Sequence, residues 1–328
     1  MNLQDKNYYL FDGAMGTYYY SVTGSTDSCE TANLTDRDTI IKIHKEYIAA
    51  GADAIKTNTF SVNPSNMENY RDVIKAACKN ARIATADTQV DIFADIGPLR
   101  GIEDEDAINA LCRAADIFLE EGMHHFLIET FDSLYKAKAV AEYIHSKDKT
   151  AVILLSFGVD QDGHTKQGNS ARAIAEDLSR IDYISGFGFN CVCGPAHMRS
   201  IIRGLDLEGK TIIAMPNAGY PSSMNGRILY NDNPLYFAKT VAELYSYGVK
   251  ILGGCCGTTP NHIKSIRDAI DNNKVIMPAV ATRKDKATTA KQENIIKDKL
   301  TSGKKVLIAE LDPKIYTEHF DSNEIKII

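Results

Sequence analysis

No stretch of this 328-residue sequence approaches the roughly 20 consecutive apolar residues that a membrane-spanning helix requires. The chain is therefore not expected to meet a membrane. The opening residues, 1–9, are polar and lack the apolar core of a signal peptide, which points to a cytoplasmic setting. Basic residues are also in deficit: 37 Lys and Arg stand against 43 Asp and Glu, a net charge of −6. Because those basic residues are scattered, nucleic acid is not an expected partner. The seven cysteines do not form the spaced, even-numbered framework of a small secreted domain; two are adjacent and two are separated by one residue. That usage fits reducing cytoplasm and a role other than disulfide bonding. Composition is otherwise ordinary, 44% hydrophobic and 24% charged, with length enough for a large core.

The adjacent pair lies in Gly253-Gly254-Cys255-Cys256-Gly257-Thr258. A short apolar run, 249–252, precedes it, and Thr259-Pro260 follows with the signature of a helix start. A disulfide between sequence neighbours is sterically awkward. A soft metal ion accepting both thiolates is the better reading, and zinc is the usual occupant. Two ligands do not close such a site, so another part of the chain must supply a third.

Eight short apolar runs, at 8–11, 54–57, 92–96, 126–129, 152–157, 184–190, 211–215 and 249–252, alternate with segments of helical period. Ala107, Leu111, Ala115 and Leu119, spaced by four, show that period. Thr35 followed by Asp38 resembles a capping box, and Gly194-Pro195 and Asn233-Pro234 read as further helix starts. Strict alternation predicts parallel strands with helical crossovers, and eight units in about 250 residues predict an α/β fold of the (β/α)8 TIM barrel type. A doubly wound sheet is the rival, but no G-x-G-x-x-G follows the first strand. Two strand-to-helix connections, 13–34 and 217–233, read as unusually long loops. The barrel is expected to span 1–273, followed by a linker at 274–293. Residues 294–328 then read as the truncated start of a second domain, with a strand at 306–310.

Barrel chemistry gathers at the C-terminal ends of the strands. Those ends carry Asp12, Thr57-Asn58-Thr59, Gly97-Pro98, Glu129, Phe157, Asn190-Cys191, Asn217 and Cys255-Cys256. Cys191 is thus the expected third thiolate. Three protein ligands with one open position is the pattern of catalytic zinc, whereas structural sites are closed by four.

The segments FDGAMGT (11–17), ETANLTDRDTIIKIHKEYIAAGADAIKTNTF (30–60), GFNC (188–191), PNAG (216–219) and GGCCGT (253–258) resemble the homocysteine S-methyltransferase family. That family includes the homocysteine domain of cobalamin-dependent methionine synthase and betaine–homocysteine methyltransferase. The resemblance covers about residues 8–272. It implies zinc on Cys191, Cys255 and Cys256, homocysteine held by Asp12 and Glu129, and methionine as product. A free thiol has a pKa near 8.5, and zinc coordination removes its proton, leaving a nucleophile for a methyl group. The substrate ammonium would meet Asp12 and Glu129. Its carboxylate would meet backbone donors at Gly13, Ala14 and Met15 and the turn Thr57-Asn58-Thr59, with Asn217 as a polar orienter or as a metal ligand before substrate arrives.

The methyl donor is either methylcobalamin carried by a partner domain or protein, or a small methyl-onium compound such as S-methylmethionine. No D-x-H-x-x-G corrinoid motif occurs in the chain itself. KVLIAELDPK (305–314) resembles the opening strand of methylenetetrahydrofolate reductase, Glu310 matching a catalytic glutamate. It tilts the reading toward one-carbon metabolism, although Lys314 departs from the pattern and reductase activity is not expected. The alternative is a non-catalytic zinc barrel that docks partners. Plainer readings stand beside these: Cys193 as packing or as a fourth ligand of a structural site, and Asp12 as a loop cap. Glu129 could be a buried ion pair, Cys29, Cys78 and Cys112 inert, and His124 and His125 structural. Tyr18-Tyr19-Tyr20 reads as half packing and half lid surface, and 160–168 reads as a solvated rim loop.

Overall fold

The structure, a computed structural model, describes residues 6–205, 207, 210–224, 227–230 and 233–272. Parallel strands and helices alternate along it. β1 is Tyr9–Leu10, followed by α1 (Gly16–Thr23), α2 (Ala32–Thr35) and α3 (Arg37–Ala49). Next come β2 (Ala54–Lys56), α4 (Tyr70–Thr85), β3 (Asp91–Ile96), α5 (Asp104–Glu120), β4 (His125–Phe131) and α6 (Leu134–Lys147). β5 (Val152–Phe157), α7 (Ala171–Leu178), β6 (Gly186–Asn190), α8 (Pro195–Arg203) and β7 (Ile212–Met215) continue the pattern. A hairpin, β8 (Ser222–Met224) and β9 (Arg227–Leu229), precedes α9 (Pro234–Ser246), β10 (Ile251–Leu252) and α10 (Pro260–Asn272).

The eight parallel strands run in the order β1-β10-β7-β6-β5-β4-β3-β2, and a parallel bridge from Phe11 to Ala54 joins the two ends. The result is the (β/α)8 barrel that the alternation predicts. Each strand is covered on both faces, which is why the runs read as near-continuous apolar stretches. Side chains of alternating parity separate two cores. Tyr9, Phe11, Ala54, Phe93, Leu127, Leu154, Ile213, Met215 and Ile251 fill the lumen, with the Phe11 and Phe93 rings 4.8 Å apart. The opposite parity packs outward on the helices, as Phe126, Ile128, Leu155 and Phe187 do.

Local sequence explains most helix starts. Pro234 and Pro195 occupy first-turn positions, and the Asn233 side chain accepts from the Tyr236 N–H at 3.1 Å. Ahead of α10 the His262 ring accepts from the Thr259 N–H at 3.2 Å, the part that glutamate takes in a capping box. Asp104, Glu105 and Asp106 sit in the first turn of α5, where the helix dipole favours negative charge.

Three expectations are corrected. Thr35 does not cap α3; it closes α2, its hydroxyl turned back to the Thr31 carbonyl, and Asp36 takes the N-cap position. The Asp36 carboxylate makes no cap bond and accepts from the Tyr19 hydroxyl at 3.1 Å. The connection at 13–34 holds two helices, and that at 217–233 holds the hairpin. Strand limits shift by one or two residues: the last strand shortens to Ile251–Leu252, β6 begins at Gly186, and β4 lengthens to His125–Phe131. Tyr19 is buried and Tyr20 exposed, which divides the tyrosine run between packing and surface. The expected linker at 274–293 and the segment 294–328, with Glu310, lie outside the described residues. No helix among the described residues is long and apolar enough to cross a membrane.

Candidate metal and substrate site

Two strand ends deliver the cysteines. The Cys191 N–H still bonds to Met215 at 3.1 Å, continuing the β6–β7 ladder, but its φ is +59° and so is that of Val192. A β-branched residue in the left-handed region is strained, and such strain gathers where function over-determines the backbone. The turn sets Cys191 at the barrel mouth and sends Cys193, which is fully buried, back into the core beneath α8. On the other side the Cys255 N–H bonds to the Pro216 carbonyl at 2.8 Å and the Ala218 N–H to the Cys256 carbonyl at 2.9 Å. Thr258 locks the turn further, donating to the Cys255 carbonyl at 2.7 Å and accepting from the Ala14 N–H at 3.1 Å.

The sulfurs of Cys191, Cys255 and Cys256 therefore all lie within 4.8 Å of one another, with Cys191 and Cys256 at 3.6 Å. Among the described residues this is the one His/Cys/Asp/Glu group placed to share a metal ion. The surroundings suit thiolates. The Asn190 amide lies 3.9 Å from Cys255, the Tyr230 hydroxyl donates to Cys256, and the Val192 N–H serves Cys191. Hydrogen bonds from the Cys191 and Cys255 thiols hold the Cys256 thiol down to about 3, while the same crowding pushes Cys255 well up. Three sulfurs this close cannot all ionise without a cation, so the set fits a divalent metal. Asn217 is buried beside them with its Oδ1 lacking any partner, and its N–H bonds to the Cys193 carbonyl at 3.1 Å.

Below the sulfurs the lumen turns polar. Lys56, Asp95, Glu129, Ser156 and Asn190 stand two residues beyond Ala54, Phe93, Leu127, Leu154 and Gly188, so strand parity aims them inward. All five are buried, as is Asp12. The Lys56 ammonium is 3.6 Å from Glu129 Oε2 and 3.8 Å from Asp12 Oδ1, and its backbone N–H bonds to Asp12 Oδ2 at 3.0 Å. Asn190 donates to Glu129 at 3.1 Å and to the Thr130 hydroxyl at 2.7 Å, while its own carbonyl accepts from Ser156 and from the Thr130 N–H. Burial pushes Asp12 up to about 7 against the pull of Lys56, and pushes Glu129 and Asp95 up as well. Burial works against Lys56 too, but Glu129 and Asp12 outweigh it and hold the ammonium above the ordinary lysine range. Three carboxylates share one ammonium, which reconciles the two directions. Asp12 Oδ1 and Asp95 Oδ1 have no hydrogen-bond partner, leaving acceptors for an incoming cation.

The remaining predicted residues divide. Gly13 passes so close to Thr258 and Tyr47 that a Cβ would lie 2.6 and 2.9 Å from them, which is why glycine follows Asp12. Met15 is the N-cap of α1, and the Ala14 N–H is already engaged by Thr258. The turn Thr57-Asn58-Thr59 is likewise engaged within the protein. The two threonine hydroxyls share a 2.7 Å bond, Thr59 donates to the Asp95 carbonyl, and Asn58 is held between Cys29 and Asn33. Lys56, Asp95 and Tyr230 do not stand out in the sequence, and Asn190 does so only as a strand end. For Lys56, Asp95 and Asn190 the signal is an ionisable or amide side chain inside a strand buried on both faces; Tyr230, beyond the end of β9, has none. His124 pairs with Asp148 at 2.7 Å and His125 stacks on Phe93, both away from the cysteines.

Known proteins resemble this chain in sequence and in fold. Methionine synthase from Mycobacterium tuberculosis is 29% identical over 293 residues, 80% of this chain and 24% of the relative. The Mycobacterium leprae methionine synthase is 30% identical over 79% of this chain and 24% of its own length. The chain thus spans about a quarter of the length of these relatives. The fold matches the metallated form of the homocysteine methyltransferase MmuM from Escherichia coli, with a TM-score of 0.67 and 20% identity. That alignment covers 81% of this chain and 97% of MmuM. Residues 9–270 match the homocysteine S-methyltransferase profile, from the first barrel strand through both cysteine-bearing turns. By that match, the chain belongs to the homocysteine S-methyltransferase family.

Proposed function

We propose that this barrel transfers a methyl group to the sulfur of homocysteine, forming methionine, with zinc held by Cys191, Cys255 and Cys256. The observation that carries the reading is the convergence of those three sulfurs within 4.8 Å, directly above a buried layer of unsatisfied carboxylates. Zinc held by three thiolates supplies the means to keep a substrate thiol deprotonated near neutral pH while leaving it nucleophilic. The chain's own residues do the rest. Asp12 and Glu129 face the substrate ammonium, and Asp12 Oδ1 has the free acceptor capacity for it. Asn190 fixes Glu129 from one side and approaches Cys255 from the other, tying the carboxylate layer to the sulfur layer. Asn217, with its unpartnered oxygen, orients whatever enters between the sulfurs and the loop after β7.

The methyl donor comes from outside the described barrel: methylcobalamin presented by a partner domain or protein, or a small methyl-onium compound. The methionine synthase relatives, four times longer than the matched part, favour the first. Incubating zinc-loaded protein and homocysteine with each donor in turn, and assaying methionine, tests the reading. Methionine formed with one donor and abolished in Cys255→Ser supports it; none with any donor, at full zinc occupancy, defeats it.

A further inference from the structure

The carboxylate layer contains a cation that the reading above leaves without a task. Lys56 is the second inward residue of β2, buried, with its ammonium 3.6 Å from Glu129 and 3.8 Å from Asp12. Both distances exceed a direct hydrogen bond, while Asp12 Oδ1 and Asp95 Oδ1 have no partner. The layer therefore has capacity in both senses: two carboxylate oxygens without a donor, and an ammonium ion-paired only at 3.6 and 3.8 Å. A ligand that satisfies it brings a donor cation for Asp12 and Asp95 and an anion for Lys56. An α-amino acid carries both on one carbon. A simple aminothiol carries only the cation, and it would sit beside a fixed positive charge.

We propose that Lys56 sets the charge type of the accepted thiol, selecting a zwitterionic α-amino acid over a cationic aminothiol. This rests on the homocysteine reading and deepens it by assigning specificity to a residue outside the metal set. Charge alone fixes the direction. Removing Lys56 makes the layer more negative, which favours a cation and disfavours a carboxylate-bearing ligand. A lysine that merely held the strands in place would affect both ligands alike.

The test is calorimetric binding of homocysteine and of 3-aminopropane-1-thiol to the full, zinc-loaded chain, comparing wild type with K56M and K56R. Zinc content and thermal melting verify each variant, and K56Q replaces K56M if the latter does not fold. Wild type is expected to favour homocysteine by at least about tenfold, the scale of one charge-assisted hydrogen bond. In K56M the preference should shrink by about tenfold or more, and K56R should restore most of it. An unchanged ratio in K56M overturns the assignment to Lys56 alone. A wild-type chain that binds neither thiol overturns the homocysteine reading, and this inference with it.

Discussion

Cys191 and Cys193 are two residues apart and live in different surroundings. Cys191 shares a 3.6 Å contact with Cys256 at the barrel mouth, while Cys193 is fully buried among apolar side chains. Cys191→Ser is expected to lose most zinc, since two thiolates remain. Cys193→Ser should keep near-stoichiometric zinc, at a folding cost typical of a small polar change in a core. Metal analysis of the two purified variants decides this, and zinc loss in both would mean a closed four-cysteine site. At this scale the thiols were legible because glycine-flanked adjacent cysteines have few structural uses. Lys56 and Asp95 were not legible. Ala-Ile-Lys and Phe-Ala-Asp-Ile read as strand ends or strand interiors with one polar residue, and only closure of the barrel aims those residues at one point. The left-handed turn at Cys191 left no trace either, because nothing in Asn-Cys-Val demands positive φ.

At the scale of elements, the turn between β10 and α10 fixes two of the three sulfurs. Gly257 there has φ of +80°, and a Cβ would lie 2.2 Å from the Tyr230 ring, whose hydroxyl serves Cys256. Gly248 is also left-handed, φ +91°, but faces open space. Gly257→Ala and Gly248→Ala should each lose about 1 kcal/mol of stability from the backbone alone. Only Gly257→Ala should also weaken zinc binding, measured by competition with a chelator; equal zinc affinity in the two would detach Tyr230 from the site.

Helix α3 supplies a separate test. His44 is fully buried with neither ring nitrogen hydrogen-bonded, and burial pushes it down to about 4. A depressed folded value means the unfolded chain takes up the proton first, from about 6.5 downward. Stability from the neutral ring is thus complete above that value and lost as pH falls through 4, on the order of 3 kcal/mol. Urea unfolding of His44→Leu should show a shallower loss between pH 7 and 4 than wild type; parallel curves would contradict it. Periodicity made the eight strand-helix units readable, but not α1, α2 or the hairpin, whose short sequences carry no strong apolar period.

For the whole molecule, closure is the organising fact. The Phe11–Ala54 bridge joins the first strand to the second, and α10 packs against α9 and α3, so the barrel closes within the described residues. A fragment ending at Asn273 is expected to keep the melting temperature and zinc content of the full chain, and a large drop in either would move the boundary. Closure also explains why the site draws on segments as far apart as Asp12 and Cys256, which only the topology unites.

Cys191, Cys255 and Cys256 are proposed to hold zinc with one position kept for the substrate sulfur. Zinc-edge X-ray absorption of the loaded protein, with and without homocysteine, tests this most directly. Three sulfur neighbours are expected without substrate and four with it; four sulfurs in the absence of homocysteine, or no change on adding it, would rule out an open substrate position.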